Sequence, residues 1–353
     1  MKSIKDITIR NRKIILRAGV NVPLDKESGR ILDDSRLKAS AKTVNYIFSK
    51  KPKMLLVVAH LGRPEGQIVE NLSLKILIPA WEKILNRRII LIDRLERIQA
   101  INQAGIFDKE AVYLLENIRF WSGEKRNSKS LAENISKGFG VYVNDAFSVS
   151  HRNHCSIVQL PKFVKDAVAG LLFEEEYKNL SLARDNPKKP AIAIIGGAKI
   201  ATKLPVIKNL EKIYDKVLVG GMVANGVLDK KIKFSKKVIL PIDFSPAEKE
   251  IERLDIGPLT AVAFREEIQK AKTIIWNGPL GKFEDEEASH GTKNIMRAIE
   301  ESDAFKLIGG GETLEAVKKF GHFNQYNYVS ESGGAMLEFL AGKDLPGIKA
   351  LNN

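Results

Sequence analysis

Ala191-Ile192-Ala193-Ile194-Ile195-Gly196-Gly197 is a short apolar run that ends in paired glycine, and the pattern returns through the second half of the chain. Val217–Val219 leads into Gly220-Gly221, Thr273–Trp276 into Asn277-Gly278, Lys306–Ile308 into Gly309-Gly310-Gly311, and Tyr328-Val329 into Ser330–Gly334. A continuous apolar run of this length is how a strand buried on both faces reads. Glycine at its carboxyl end lets backbone N–H groups come close to an anion. The second half is therefore expected to form a parallel sheet with a phosphate-binding edge, and a nucleotide or another phosphorylated molecule is the first ligand to expect.

Working outward, further apolar runs at Ile14–Arg17, Met54–Ala59, Ile89–Ile92, Ala111–Leu115, Gly140–Val143 and Val238–Leu240 read as strands. Between them lie segments with apolar residues at helical spacing, among them Arg36–Ser49, Leu74–Leu85, Leu204–Tyr214, Ala261–Ala271, Gly291–Glu300 and Leu314–Phe320. Strand alternating with helix places the chain in the α/β class with parallel sheets. At 353 residues it exceeds the size at which one core keeps growing, so two domains are expected. The seam is the charged helix Glu174–Arg184 followed by Asp185–Pro190, where proline breaks the helix and a new sheet begins. The expected fold is two doubly wound parallel-sheet (Rossmann-like) domains joined by a helix and hinge.

Composition agrees with an ordinary globular chain, 44% hydrophobic and 28% charged. No window approaches the roughly 18 uninterrupted apolar residues of a membrane span. Met1–Asp6 runs into mixed polar sequence without the apolar region of a signal peptide, so a cytoplasmic protein without a membrane partner is expected. The single cysteine, Cys155, excludes an intrachain disulfide and reads as a small buried hydrophobe. The net charge of +14 asks for an anionic partner. Its basic runs are pairs such as Lys188-Lys189 and Lys236-Lys237 rather than tracts or arms, which favours anionic metabolites over nucleic acid.

The first half sets cationic side chains just beyond its strands. Arg17 ends Ile14–Arg17; His60 and Arg63 follow Met54–Ala59; Arg119 follows Leu115; His151 and Arg152 follow Val143; Arg36 opens a helix after Asp33-Asp34-Ser35. Ligands of open parallel sheets bind at the carboxyl ends of the strands, so these groups can converge on one cleft. Guanidinium groups gathered there would hold phosphate or carboxylate through paired hydrogen bonds.

The same residues carry a family resemblance. Arg17–Pro23, Asp33–Arg36, His60-Leu61-Gly62-Arg63-Pro64, Leu115–Phe120 and Val143–Phe147 with His151-Arg152 resemble, in order, the amino-domain motifs of the phosphoglycerate kinases. Gly196-Gly197-Ala198-Lys199, Leu254–Pro258, Trp276-Asn277-Gly278-Pro279, Gly309–Gly311 and Gly342-Lys343 with Leu345-Pro346-Gly347 continue the likeness over essentially the whole chain. The resemblance implies reversible transfer of the acyl phosphate of 1,3-bisphosphoglycerate to Mg-ADP, giving 3-phosphoglycerate and ATP, by a monomer whose domains close. It implies a phosphoglycerate-binding domain over residues 1–169, a nucleotide-binding domain over 170–333, and a tail, 334–353, that returns to the first domain.

Residue by residue, the resemblance assigns phosphoglycerate to Arg17, Asn21, Arg36, His60, Arg63, Arg119 and Arg152, and the phosphoryl in flight to Arg36 and Lys199. It assigns the nucleotide to Gly196, Gly197, Lys199, Lys203, Gly220, Asn277, Gly278, Glu284, Gly310, Gly311, Glu312 and Thr313, with Glu312 on Mg2+. Such a reaction asks for positioning and charge stabilisation rather than covalent help. A helix beginning at Ala198 would put Lys199 and Lys203 on one face near its positive end, with Pro205 near the first turn.

Several residues depart from the family pattern. Gly19 stands where an aspartate is usual, Thr202 where an acid is, Lys282 where an apolar residue is, and Glu312 where a shorter carboxylate is. In the last glycine loop, Glu331 and Ser332 replace small residues, and the segment Asn225–Lys237 is short by a helix. These changes leave open a kinase of the same fold with another acyl-phosphate or nucleotide preference, and a non-catalytic binding relative.

Overall fold

The apolar runs of the first half become β1 (Lys13–Arg17), β2 (Met54–Val58), β3 (Ile89–Ile92), β4 (Val112–Leu115), β5 (Val141–Asn144) and β6 (Asp166–Ala169) in the computed structural model, which describes residues 1–25, 27–246 and 253–352. They form one parallel sheet in the order β3-β4-β2-β1-β5-β6. Ile14 sits between Leu55 and Val141, and Arg17 between Val58 and Asn144, so charged and polar groups share the carboxyl edge.

In the second half β7 (Ala191–Ile195), β8 (Lys216–Val219) and β9 (Val238–Ile239) are followed by a small antiparallel ribbon, β10 (Phe244–Ser245) with β11 (Asp255–Ile256). The strands β12 (Thr273–Asn277), β13 (Phe305–Gly309) and β14 (Tyr328–Ser330) complete a second parallel sheet, ordered β14-β13-β12-β7-β8-β9. Both sheets are thus parallel throughout, as the continuous apolar runs require.

The chain divides into two compact units, residues 1–177 with 344–353, and residues 178–343. The helix Leu171–Asp185 starts in the first and ends in the second. Each unit has its own core. Leu16, Val57, Leu114 and Val143 meet Leu37, Val44 and Trp81 in the first; Ile194, Ile274, Trp276 and Ile308 meet Phe264, Ile295 and Val317 in the second. Each such fully buried side chain contributes roughly 1.5–3 kcal/mol. In the first unit the tail returns through Gly347, whose N–H donates to the Ser150 carbonyl at 2.8 Å.

Some boundaries moved for local reasons. The expected helix Leu74–Leu85 is a 3-10 turn, Leu74–Leu77, before an α-helix, Ile78–Leu85, because Pro79 has no N–H to continue an α-helical ladder backwards. The helix expected from Ala198 starts at Ile200, with Lys199 as the residue before its first turn, so Pro205 lies inside the helix Ile200–Ile213.

Candidate active site

In the first unit the strand ends gather a buried cationic cluster. Arg17, 1% exposed, donates from Nε to Ser156 Oγ at 2.9 Å, from Nη1 to the Ala18 carbonyl at 2.5 Å, and from Nη2 to His60 Nδ1 at 3.0 Å. Arg119 donates from Nη1 to the Gly62 carbonyl at 2.7 Å, while its buried Nε has no partner. Asn21 accepts the Gly62 N–H at 2.7 Å, which fixes its amide and turns its NH2 group to other use. Asn117 ties these turns together, donating to the carbonyls of Leu61 and Leu72 and accepting from the Arg119 N–H.

Crowding and burial set the electrostatics. Burial holds His60 well below the ordinary imidazole range, reinforced by Arg17, Arg119, Arg36 and His154. His154 is pushed down to about 4, by burial first and then by Arg119 and Arg17. Even Arg119 is lowered to about 10 by burial, with Arg17 and Arg152 opposing its charge. A site that disfavours its own positive charge to this extent is one that an incoming anion relieves. Arg36, in the first turn of the helix Ser35–Ser49, is partly buried and acts on His60; Arg63 and Arg152 are exposed.

The second unit builds its edge from backbone. Gly196 N–H donates to the Asn277 carbonyl at 3.0 Å and Gly197 N–H to the Pro279 carbonyl at 2.8 Å, so the loops after β7 and β12 lie against each other. Neither admits a side chain. A Cβ on Gly196 would strike the Gly278 and Pro279 carbonyls; one on Gly278, at φ +97°, would strike the Gly196 backbone. Gly310, at φ +99°, leaves room for the Asn277 amide, which donates to the Gly309 carbonyl at 2.6 Å. Thr313 accepts the Gly278 N–H at 2.7 Å and donates to the Gly309 carbonyl at 3.0 Å. Gly220 N–H donates to the Ile195 carbonyl at 3.0 Å.

The two lysines differ. Lys199 is exposed, whereas Lys203 is buried with its ammonium on the side-chain oxygen of Asn277, and desolvation lowers it to about 8 while Glu312 raises it. Glu312, exposed in the first turn of the helix Gly311–Phe320, reaches over Gly197: a Cβ there would lie 2.7 Å from Glu312 Oε2. Glu284 is exposed, and its carbonyl accepts from Lys319 at 3.3 Å.

The departures have local explanations. A Cβ at Gly19 would meet only ordinary contacts, 3.7 Å from the Ala146 Cα, so the position has space for a side chain. Thr202 donates to the Lys199 carbonyl at 2.9 Å, Lys282 lies 3.9 Å from Asp285, and Ser332 adopts φ −88°, a conformation that does not require glycine. The reading of sequence missed Glu124, Ser156 and Asn144. Glu124 is fully buried and accepts from Ser156 N and Oγ at 2.8 and 2.7 Å; the Asn144 Nδ2, at the end of β5, is buried without a partner.

A model of the phosphoglycerate kinase family matches residues 4–239 and 227–343. The chain belongs to the phosphoglycerate kinase family. It is therefore a phosphotransferase whose small-molecule substrates are a phosphoglycerate and a nucleotide. It is 34% identical over 391 aligned positions to the phosphoglycerate kinase of Helicobacter hepaticus, covering 99% of this chain and 96% of that one. The enzyme of Clostridium tetani is 35% identical, covering 100% and 98%. The structure is similar to that of phosphoglycerate kinase from Coxiella burnetii, with TM-score 0.88 and 31% identity over 99% of this chain and 98% of the other. The phosphoglycerate kinase of Pyrococcus horikoshii gives TM-score 0.82 at 28% identity, covering 100% and 98%. The two matched segments of the family model overlap at residues 227–239, across most of the stretch read as shortened. Neither the altered-preference reading nor the non-catalytic one is favoured by these likenesses.

Proposed function

We propose that the cationic cluster of the first unit binds phosphoglycerate, that the glycine edge of the second binds ADP or ATP, and that Arg36 and Lys199 act on the phosphoryl group exchanged between them. The observation that carries this reading is the cluster of buried Arg17 and His60 with half-buried Arg119, whose burial lowers its affinity for protons and which includes an unpartnered Arg119 Nε. Arg63 and Arg152, exposed at the same strand ends, would reach the ligand from solvent, and Asn21 would offer its NH2 group.

The chemistry explains why no side chain of the cluster has to act as a general base. The P–O bond to the acyl oxygen breaks and a P–O bond to the terminal phosphate oxygen of ADP forms. The nucleophile is already an anion and the leaving group is a carboxylate, so no proton needs to move. What remains is to hold two anions and offset the charge that spreads over the transferring oxygens, which guanidinium and ammonium groups do.

Magnesium fits this arrangement at Glu312. One carboxylate beside a phosphate-binding backbone is a common way in which Mg2+ is held, the rest of its shell coming from substrate phosphates and water. When bound it would offset phosphate charge, with Glu312 supplying its oxygen and Thr313 and Asn277 fixing the loop beneath.

We also place the protein in the cytoplasm as a monomer, with neither nucleic acid nor membrane as partner; its cations are spread in pairs, and no helix among the described residues is long and apolar enough to cross a membrane. Sedimentation at assay concentration checks the monomer, and a faster-sedimenting species would refute it. Turnover measured across several phosphorylated acids and nucleoside triphosphates tests the whole reading. A clear preference for 3-phosphoglycerate with Mg-ATP is expected. Preference for another acid, or ligand binding with no turnover, would overturn it.

A further inference from the structure

Four side chains far apart in sequence, Glu124, Ser156, Arg17 and His60, form a continuous chain of hydrogen bonds inside the first unit. Each link has a direction fixed by chemistry. Burial raises the Glu124 carboxyl, while the Arg17 guanidinium and the two bonds from Ser156 favour its anion; as a carboxylate it only accepts, so the Ser156 hydroxyl at 2.7 Å donates to Glu124 Oε1 and turns its lone pairs elsewhere. Those lone pairs receive Arg17 Nε at 2.9 Å. Arginine only donates, so His60 Nδ1, 3.0 Å from Arg17 Nη2, is an acceptor. A neutral ring whose Nδ1 accepts carries its proton on Nε2.

Ser156 is an unusually firm anchor. Its N–H donates to Glu124 Oε2 at 2.8 Å, and its carbonyl accepts the Tyr142 hydroxyl at 2.7 Å, so its backbone polar groups and its hydroxyl are all held. It belongs to a single π-helical turn, Cys155–Gln159, a local geometry that tends to mark functional positions. Glu124 and Ser156 are both fully buried, and water does not compete for these bonds.

We propose that Glu124 is a positioning residue which, through Ser156 and Arg17, sets His60 as a neutral Nε2–H donor for the anion bound in the first unit. The proposal rests on the reading that this cluster binds phosphoglycerate. The arrangement supplies a hydrogen-bond donor without another buried charge, where Arg17, Arg119 and Arg36 already crowd His60 and a protonated ring would add to their repulsion. His154 faces the same group, its Nδ1 3.6 Å from Glu124 Oε1, beyond a hydrogen bond.

The imidazole nitrogen shifts of His60, read by long-range proton–nitrogen correlation on the ligand-free protein, give the tautomer directly. Nε2–H is expected in the parent; finding Nδ1–H overturns the proposal before any variant is made. In Glu124→Gln the amide NH2 can donate to Ser156 Oγ, turning its hydroxyl proton away and competing with Arg17 Nε for its lone pairs, and the carboxylate charge behind Arg17 is lost, so Arg17 is held less firmly. A mixed tautomer is then expected, with KM for phosphoglycerate raised about tenfold and kcat changed less. Ser156→Ala should act alike, and Ser156→Thr, which keeps the hydroxyl, should restore both readouts. If Glu124→Gln does not fold, the Ser156 pair carries the test. Folded variants with an unchanged tautomer overturn the proposal. A shifted tautomer with unchanged KM upholds the relay and instead refutes His60 as a phosphoglycerate ligand.

Discussion

On the proposed reading the two units would hold anions by opposite means. The first projects charged side chains into a largely buried cluster, where Arg17, His60 and Arg119 all lose proton affinity to burial, and His60 and Arg119 also to neighbouring guanidinium groups. The second removes side chains, letting the backbones at Gly196 and Gly278 touch with their N–H groups paired inside the protein, so that on the proposed reading the starts of the helices Ile200–Ile213 and Gly311–Phe320 would face the ligand. The difference teaches where each half is fragile. A half built of charge should fail electrostatically while staying folded; a half built of backbone contact should fail sterically, with its fold.

The sharpest way to break this contrast is Gly278→Ala. At φ +97° any Cβ is strained, and here it also meets the Gly196 backbone, which cannot rotate aside. Strain and overpacking together should destabilise the second unit by about 4 kcal/mol. Gly311→Ala, whose Cβ would meet nothing within 4 Å, should leave thermal stability nearly unchanged. Equal melting temperatures for the two variants would show that the glycines are not there for close packing. In the first unit, Arg36→Ala should instead melt like the parent and lose turnover by about 10²- to 10³-fold, with a smaller change in phosphoglycerate affinity. Unchanged turnover with a raised KM would assign Arg36 to ground-state binding.

The same contrast explains what could be read from sequence. The glycine edge was legible because it is local: an apolar run and its glycine lie side by side, and β7, β8, β12, β13 and β14 end where that pattern ends. The strand-end cations were legible for the same reason. The edge strand β6 was not, since Asp166-Ala167 begin it half-exposed and no long apolar run announces it. Nor was the helix Gly221–Asp229, which has glycine at its start and middle. Glu124 and Ser156 were beyond reach, because the hydrogen-bond chain they share with Arg17 and His60 forms only when four distant segments meet. The start of the helix at Ile200 depended on loop packing, with Gly197 held by the Pro279 carbonyl before the chain can turn helical.

Asp145 sharpens the comparison from within the first unit, as a buried charge that serves structure. Its carboxylate accepts the Leu172 and Phe173 N–H groups at 2.9 and 3.3 Å, at the start of the helix Leu171–Asp185. Burial outweighs those bonds and raises the carboxyl from 3.8 to about 6. A group that binds its proton more tightly when folded stabilises most in acid, and that contribution is lost as pH rises from the unfolded value through the folded one. Asp145→Asn keeps the acceptor and removes the ionisation. Its stability relative to the parent should therefore increase with pH between roughly 4 and 7, by at most about 3 kcal/mol. Parallel curves of melting temperature against pH for the two proteins would show that Asp145 does not titrate in this window.

Glu312 offers the finest test, being a carboxylate at an edge built largely of backbone and lysine. Its Oε2 lies over Gly197, and its charge favours the protonated form of Lys203. Mg2+ demands near-octahedral oxygen ligands and commonly keeps several waters, so a glutamate can serve directly or through one of them. Glu312→Gln retains an oxygen but loses the charge. The magnesium concentration for half-maximal turnover should rise, within about tenfold if the contact is water-bridged, while phosphoglycerate binding stays as it was. The two halves would then be separable: magnesium dependence moves with the nucleotide edge and not with the cation cluster. Should the magnesium dependence stay fixed while phosphoglycerate binding weakens, the division of labour between the units would be the wrong one. Should neither move, Glu312 would be an acidic residue favourable to the start of its own helix, and the metal ligand would lie elsewhere.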